Sequence, residues 1–161
     1  MTSRERVVGL EQAARFVQEV RGRGGTVAFT NGCFDLLHAG HVELLETARS
    51  LADALVVGVN GDDSVRRLKG PGRPLQAASD RARVVAALRA VDRVVVFEAL
   101  TAEALLAELK PDVYVKGGDY TFDTLPEREA ARRVGARVVL VPLLEGRSTT
   151  ALVRRMGGGG A

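Results

Sequence analysis

The chain is short of several residues that usually carry special chemistry. It has one cysteine, Cys33, which excludes an internal disulfide and suits a reducing compartment, so the cytoplasm is the expected location. It has no apolar run long enough to span a membrane, and Met1–Arg6 has no secretory character behind it. The 23 basic residues exceed the 20 acidic ones, a net charge of +3 that suits an anionic ligand. They form no continuous run, so nucleic acid is not an expected partner. Only three of the basic residues are lysines, Lys69, Lys110 and Lys116. In a chain that habitually uses arginine, a compact ammonium beside glycine, as at Lys69-Gly70 and Lys116-Gly117, fits a tight phosphate site that a planar guanidinium would not. No paired-carboxylate motif, linker or internal repeat is present.

What is there concentrates in one stretch, Asn31-Gly32-Cys33-Phe34-Asp35-Leu36-Leu37-His38-Ala39-Gly40-His41. It holds the chain's two histidines. The apolar run Thr26–Thr30 before it reads as a buried strand, and the apolar spacing after it, from Val42 to about Leu51, reads as a helix. A strand, a glycine-bearing turn and a helix start aim backbone N–H groups and a positive helix end at an anion. Gly40 lacks a Cβ, so the backbone beside His41 is expected to leave room for a phosphate. A helix cap, a packed side chain, a phosphate contact and a metal pair are all open to histidines at this spacing. No third ligand cluster follows, and Cys33 stands alone, so no metal site is assigned to side chains.

Five apolar segments alternate with helical ones. The expected strands are Thr26–Thr30, Leu55–Asn60, Val94–Phe97, Val113–Lys116 and Arg137–Val141. The expected helices are Leu10–Arg21, the one after His41, a short one from Gly61 through Leu68, Asp80–Ala90 capped by Ser79, Ala102–Leu109 capped by Thr101, one from Pro126 to Gly135, and Thr149–Met156 capped by Ser148. Two prolines and two glycines in seven residues make Lys69–Leu75 a loop. The fold class is therefore α/β: a doubly wound, five-stranded parallel sheet, Rossmann-like, between two helical layers. A single domain over residues 1–156 is expected, with a flexible glycine-rich tail at 157–161. In such a sheet the ligand lies off the carboxyl ends of the strands, where strand order reverses.

Three loops supply positive charge or hydrogen-bond donors. The first carries His38, His41 and the backbone N–H groups near Gly32 to Phe34. The second carries Lys69 and Arg73. The third is Gly146-Arg147-Ser148-Thr149-Thr150 at a helix start, where the Ser148 and Thr149 hydroxyls and first-turn N–H groups could hold phosphate oxygens. Ser148 alone reads equally as a plain N-cap. Asp35 reads as facing a substrate or as accepting N–H bonds within its own loop.

The stretch GCFDLLHAGH resembles the HxGH signature of the nucleotidyltransferase superfamily, and more narrowly its cytidylyltransferase-like branch. Together LLHAGHV, LKGPGRP, VKGGDY and RSTT resemble the heptose 1-phosphate adenylyltransferases, over roughly residues 24–156. Arg89-Ala90-Val91-Asp92 is similar to the R-Y-V-D of glycerol-phosphate cytidylyltransferases, but Ala90 replaces the aromatic, which argues against that subgroup.

The resemblance implies strand order 3-2-1-4-5 and transfer of AMP from ATP to a sugar 1-phosphate, with pyrophosphate leaving. It implies Mg²⁺ bound through the ATP phosphates, and a homodimer. It also implies the stand-alone form, without the sugar-kinase domain to which some of these enzymes are fused. His38, His41 and Lys69 would be catalytic. Asn31, Gly32, Cys33, Phe34, His38, Gly40, His41, Lys116, Gly118, Asp119, Ser148, Thr149 and Thr150 would bind the nucleotide, with Asp119 taking ribose hydroxyls. Asp35, Asn60, Lys69 and Arg73 would bind the acceptor. The rival expectations are another nucleotidyltransferase of this fold, using glycerol phosphate, phosphopantetheine or FMN as acceptor, and a nucleotide-binding module without catalysis.

Overall fold

The computed structural model describes residues 1–142, 144 and 146–157, so positions 158–161 of the expected glycine-rich tail lie outside the described residues. Five strands form one parallel sheet: β1 (Val27–Gly32), β2 (Ala54–Asn60), β3 (Arg93–Phe97), β4 (Val113–Gly117) and β5 (Arg137–Val141). Their order is β3-β2-β1-β4-β5, all neighbours parallel, as the resemblance implied. The central strands are nearly continuous apolar runs because both of their faces are covered.

Alternation along the strands sorts the core into two layers. Phe29, Val56, Val95 and Tyr114 pack on one face with α2 (Leu10–Gly22), α6 (Glu103–Leu109) and α7 (Arg128–Arg133). Ala28, Val57, Val113 and Val115 pack on the other with α3 (Ala39–Ser50) and α5 (Ala78–Ala86). A Cβ on Gly117 would come within 2.9 Å of Leu44 Cδ2, so glycine there lets α3 lie close on β4. At the amino edge of the sheet, aspartates satisfy the entering amides: Asp112 accepts from Val27 N–H and Asp92 from Leu55 N–H, each at 2.8 Å.

Several boundaries differ from expectation, for reasons that lie outside the local sequence. A short helix, α1 (Ser3–Arg6), precedes α2 and was not anticipated; Thr2 and Glu5 close it with a capping box. Strand β1 runs on through Asn31 and Gly32, so these belong to the sheet and not to the following loop. Ser79 does not cap α5. The helix starts at Ala78, whose amide donates to Asp62 Oδ1 at 2.9 Å, an acceptor carried by α4 (Asp62–Lys69). Thr101 does not cap α6 either; the Ala102 amide at its start donates to Glu127 Oε1 at 3.2 Å. Pro126 precedes α7 without starting it. Ser148 does cap α8 (Thr149–Gly157), accepting the Ala151 amide at 3.0 Å.

Candidate active site

Strand order reverses between β1 and β4, and a cavity of about 720 Å³ opens there at the carboxyl ends of the strands. The histidine stretch turns over its floor. Phe34 takes a left-handed backbone (φ 49°), uncommon for a non-glycine residue, and buries its ring 5.2 Å from that of His41.

His38 and His41 form the entry to α3. His38 Nδ1 accepts the Gly40 N–H at 3.0 Å, and His41 Nδ1 accepts the His38 N–H at 3.3 Å. This is a capping box built from imidazoles. An Nδ1 that accepts carries no proton, so both rings are neutral and bear their hydrogen on Nε2. The rings stack with centroids 3.8 Å apart. Burial pushes the pKa of His38 below its usual value; burial, then the neighbouring His38, brings that of His41 down to about 4. Both rings line the cavity, leaving two neutral N–H donors for an anion. The structure corrects the reading of Gly40: the space a Cβ would fill holds the His38 imidazole, 2.8 Å from the ideal Cβ position, not an opening for phosphate.

The other expected loops meet these rings. Lys69 ends α4 and lines the cavity with an exposed side chain; among the described residues it makes no ion pair. Arg73 lines the cavity too, its guanidinium 3.3 Å from Asp35. Ser148, Thr149 and Thr150 bring the start of α8 against the histidine loop. Thr149 Oγ1 donates to the Leu36 carbonyl at 3.1 Å, so its hydrogen is engaged, while Ser148, whose oxygen accepts the Ala151 amide, keeps its hydroxyl hydrogen for a phosphate. Asn31, Gly32, Cys33, Asn60, Lys116 and Gly118 complete much of the wall. Burial pushes the Cys33 thiol up, against the pull of Lys69 and Arg81, so it stays protonated.

Two aspartates of the expected site are placed differently from one another. Asp35 is buried, and its carboxylate accepts the Leu75 and Gln76 amides at 2.9 and 3.1 Å as well as Arg73. It anchors the Lys69–Leu75 loop and is at the same time one of the residues that line the cavity. Asp119 is exposed and does not line the cavity, while its neighbour Tyr120 does. Lys116 lines the cavity, but its ammonium is engaged by Glu127 Oε1 at 3.3 Å and lies over the Tyr120 ring.

The sequence reasoning missed Arg81, Glu127 and Thr101 as parts of this assembly. Arg81 is 1% exposed. It donates to the carbonyls of Cys33, Asn60 and Gln76 and pairs with Asp62 at 2.9 Å, fastening the histidine loop, the end of β2 and the Lys69 loop to one another. In sequence it sits among Asp80 and Arg83, which looks like a solvated helix face. Glu127 follows a proline before a short helix and gave no signal either.

A parallel sheet with this cavity at its switch point, walled by an HxGH helix start, defines a nucleotidyltransferase-type domain. The comparisons narrow this further. Residues 29–155 match the cytidylyltransferase-like family. The chain therefore belongs to the cytidylyltransferase-like family of nucleotidyltransferases. It is 52% identical to the bifunctional protein HldE of Mesorhizobium japonicum, over 97% of this chain and 32% of that protein. With the bifunctional protein HldE of Streptomyces coelicolor it shares 57% identity, over 84% of this chain and 29% of that protein. The chain thus spans about a third of the length of the curated relatives it matches. Among solved structures, the lipopolysaccharide core biosynthesis protein of Thermoplasma volcanium superposes with a TM-score of 0.63 at 28% identity, covering 75% of this chain and 98% of that one. A pantoate-beta-alanine ligase of Francisella tularensis, at 13% identity and a TM-score of 0.57 over 89% of this chain and 68% of that one, shares the fold. Among the described residues no helix is long and apolar enough to cross a membrane.

Proposed function

We propose that this domain transfers AMP from ATP to D-glycero-D-manno-heptose 1-phosphate, giving ADP-heptose and pyrophosphate. One observation carries the reading: two neutral imidazole N–H donors, a lysine that makes no ion pair among the described residues and a capping serine line one cavity at the switch point. The choice of acceptor is supported by the segments LLHAGHV, LKGPGRP, VKGGDY and RSTT, and by the similarity to proteins named HldE.

In the reaction, a phosphate oxygen of the sugar 1-phosphate attacks the α-phosphorus of ATP. A new P–O bond forms, the bond to the bridging oxygen breaks, and pyrophosphate carries away the electron pair. The nucleophile is already an anion near neutral pH, so no general base is needed. The site's task is to align two anions and stabilise charge on the five-coordinate phosphorus and the leaving group. His38 and His41 donate through Nε2 to the α-phosphoryl and triphosphate oxygens. Lys69 bridges the acceptor phosphate and the α-phosphate. Ser148 and the start of α8 receive the departing pyrophosphate. Among the described residues no group of three or more His, Cys, Asp or Glu is placed to hold a metal ion. A Mg²⁺ brought in with ATP would be held by the nucleotide's phosphates rather than by a cluster of side chains, and would supply charge neutralisation there.

The test is incubation with ATP, Mg²⁺ and a panel of sugar 1-phosphates, followed by mass spectrometry for the nucleotide sugar, with CTP in a parallel arm. ADP-heptose formation is the expected result. Product only with CTP, or pyrophosphate release only with phosphopantetheine, FMN or glycerol phosphate, would refute the proposal.

A further inference from the structure

The wall of the cavity away from the histidines holds a charged group that the proposed reaction leaves unused. Glu127 is 1% exposed and lines the cavity. Its Oε1 accepts from Lys116 Nζ at 3.3 Å and from the Ala102 amide at 3.2 Å. Its Oε2 is buried with no hydrogen-bond partner. Buried carboxylate oxygens are normally paired, and an orphan is costly enough to ask what occupies it in the working protein.

The alternation of the sheet says which part of a ligand comes near. Asn31 lies two residues beyond Phe29 on β1, and Lys116 two beyond Tyr114 on β4; Phe29 and Tyr114 stack together in the α6/α7 layer. Asn31, Lys116 and Glu127 therefore belong to that layer's side of the cavity. The phosphate donors belong to the other: His38 and His41 begin α3, and Thr149 ties α8 to the same loop. A carboxylate in the cavity wall repels phosphate and favours a neutral group with hydrogens to give. A sugar hydroxyl fits, since it can donate to the carboxylate and accept from Lys116 at once.

We propose that Glu127 recognises the sugar of the acceptor: its unpaired Oε2 takes a hydrogen bond from an acceptor hydroxyl, with Lys116 holding the carboxylate in place. The assignment rests on the sugar-phosphate reading above.

The experiment pairs Glu127→Gln with substrates that each lack one hydroxyl. For the wild type, monodeoxy analogues of the sugar 1-phosphate are assayed beside 2′-deoxy-ATP and 3′-deoxy-ATP. The expected result is a KM for the sugar phosphate at least tenfold higher in E127Q, with the KM for ATP within twofold. One deoxy-sugar should be penalised in the wild type and not in E127Q. If E127Q does not fold, Glu127→Asp, which keeps the charge and shortens the reach, is put through the same series. Coupling to an ATP hydroxyl instead, or none to any hydroxyl, overturns the assignment and shows Glu127 to be a ribose contact or a structural pair. The broader reading fails by a different sign: the wild type would release no pyrophosphate with any sugar phosphate.

Discussion

Replacing Gly40 by alanine separates the structural and chemical roles of the histidine motif. The new Cβ would lie 2.8 Å from His38 Cε1, 2.9 Å from its Nδ1 and 3.4 Å from the Arg147 carbonyl oxygen. The backbone there is helical and accepts alanine, so the imidazole must swing away. Its 3.0 Å bond from the Gly40 amide is then lost, and with it the lock that keeps the proton on Nε2. The lost cap costs about 1 kcal/mol. Alanine's helix preference over glycine returns up to about 1 kcal/mol. Net stability should therefore move by no more than about 1 kcal/mol, a Tm shift of at most roughly 4 °C in a domain of this size. Turnover should respond quite differently. One displaced donor to the reacting phosphates is worth about 2.7–4 kcal/mol, a fall of about 10²–10³ in kcat. Pyrophosphate release at saturating ATP and sugar phosphate, read beside thermal unfolding, measures both. Turnover within threefold of wild type in a folded G40A protein would refute the role given to His38. A collapse in Tm with turnover per folded molecule preserved would show the motif to be purely architectural.

Three further outcomes follow from the same geometry. His41 has a folded pKa near 4 against an ordinary 6.5, so the unfolded chain binds the proton more readily between those values. Its contribution is complete above pH 6.5 and drains away as pH falls toward 4, by about 3 kcal/mol. Denaturant titrations across that window should show the slope in the wild type and lose it in His41→Asn; an equal slope in both would place the proton uptake elsewhere. Lys69→Ala should lower kcat about 10²-fold with Tm unchanged, because the side chain is exposed; an unaltered rate at saturating substrate removes Lys69 from the mechanism. Asp35→Asn turns a donor toward the Leu75 and Gln76 amides and breaks the buried pair with Arg73. It should cost about 3 kcal/mol, roughly 6–12 °C in Tm, and lower kcat through the loosened Lys69 loop. A normal melting curve for that variant would mean the loop is held by other contacts.

Much of the architecture is written in local patterns. A buried parallel strand is an apolar run flanked by turn residues, and β5 can be read to the residue because Arg137 and Pro142 bracket it. The histidine stretch is equally plain, since its partners lie within three residues of one another and the capping box needs no distant help. The Ser148 cap is legible for the same reason. What resisted reading depends on residues far apart in the chain. Ser79 and Thr101 have the chemistry of caps, yet the amides at the starts of α5 and α6 are served by Asp62 and Glu127, which only the packing brings there. Asp35 could be paired with Leu75 and Gln76 only once the loop had folded back over it.

The sequence by itself determined the class of fold, the position of the histidine-capped helix start and the type of donor it presents. Alternation and capping act over a few residues, and the side chains that satisfy them are neighbours in the chain. Tertiary structure alone decided which charges remain available to a ligand. Lys69 stays unpaired among the described residues while Arg73 and Lys116 are neutralised by carboxylates, and Arg81 disappears into the core as a fastener. The reason is electrostatic: a charge is free or engaged according to what lies within a few ångströms, and those neighbours stand 11 to 38 residues away along the chain.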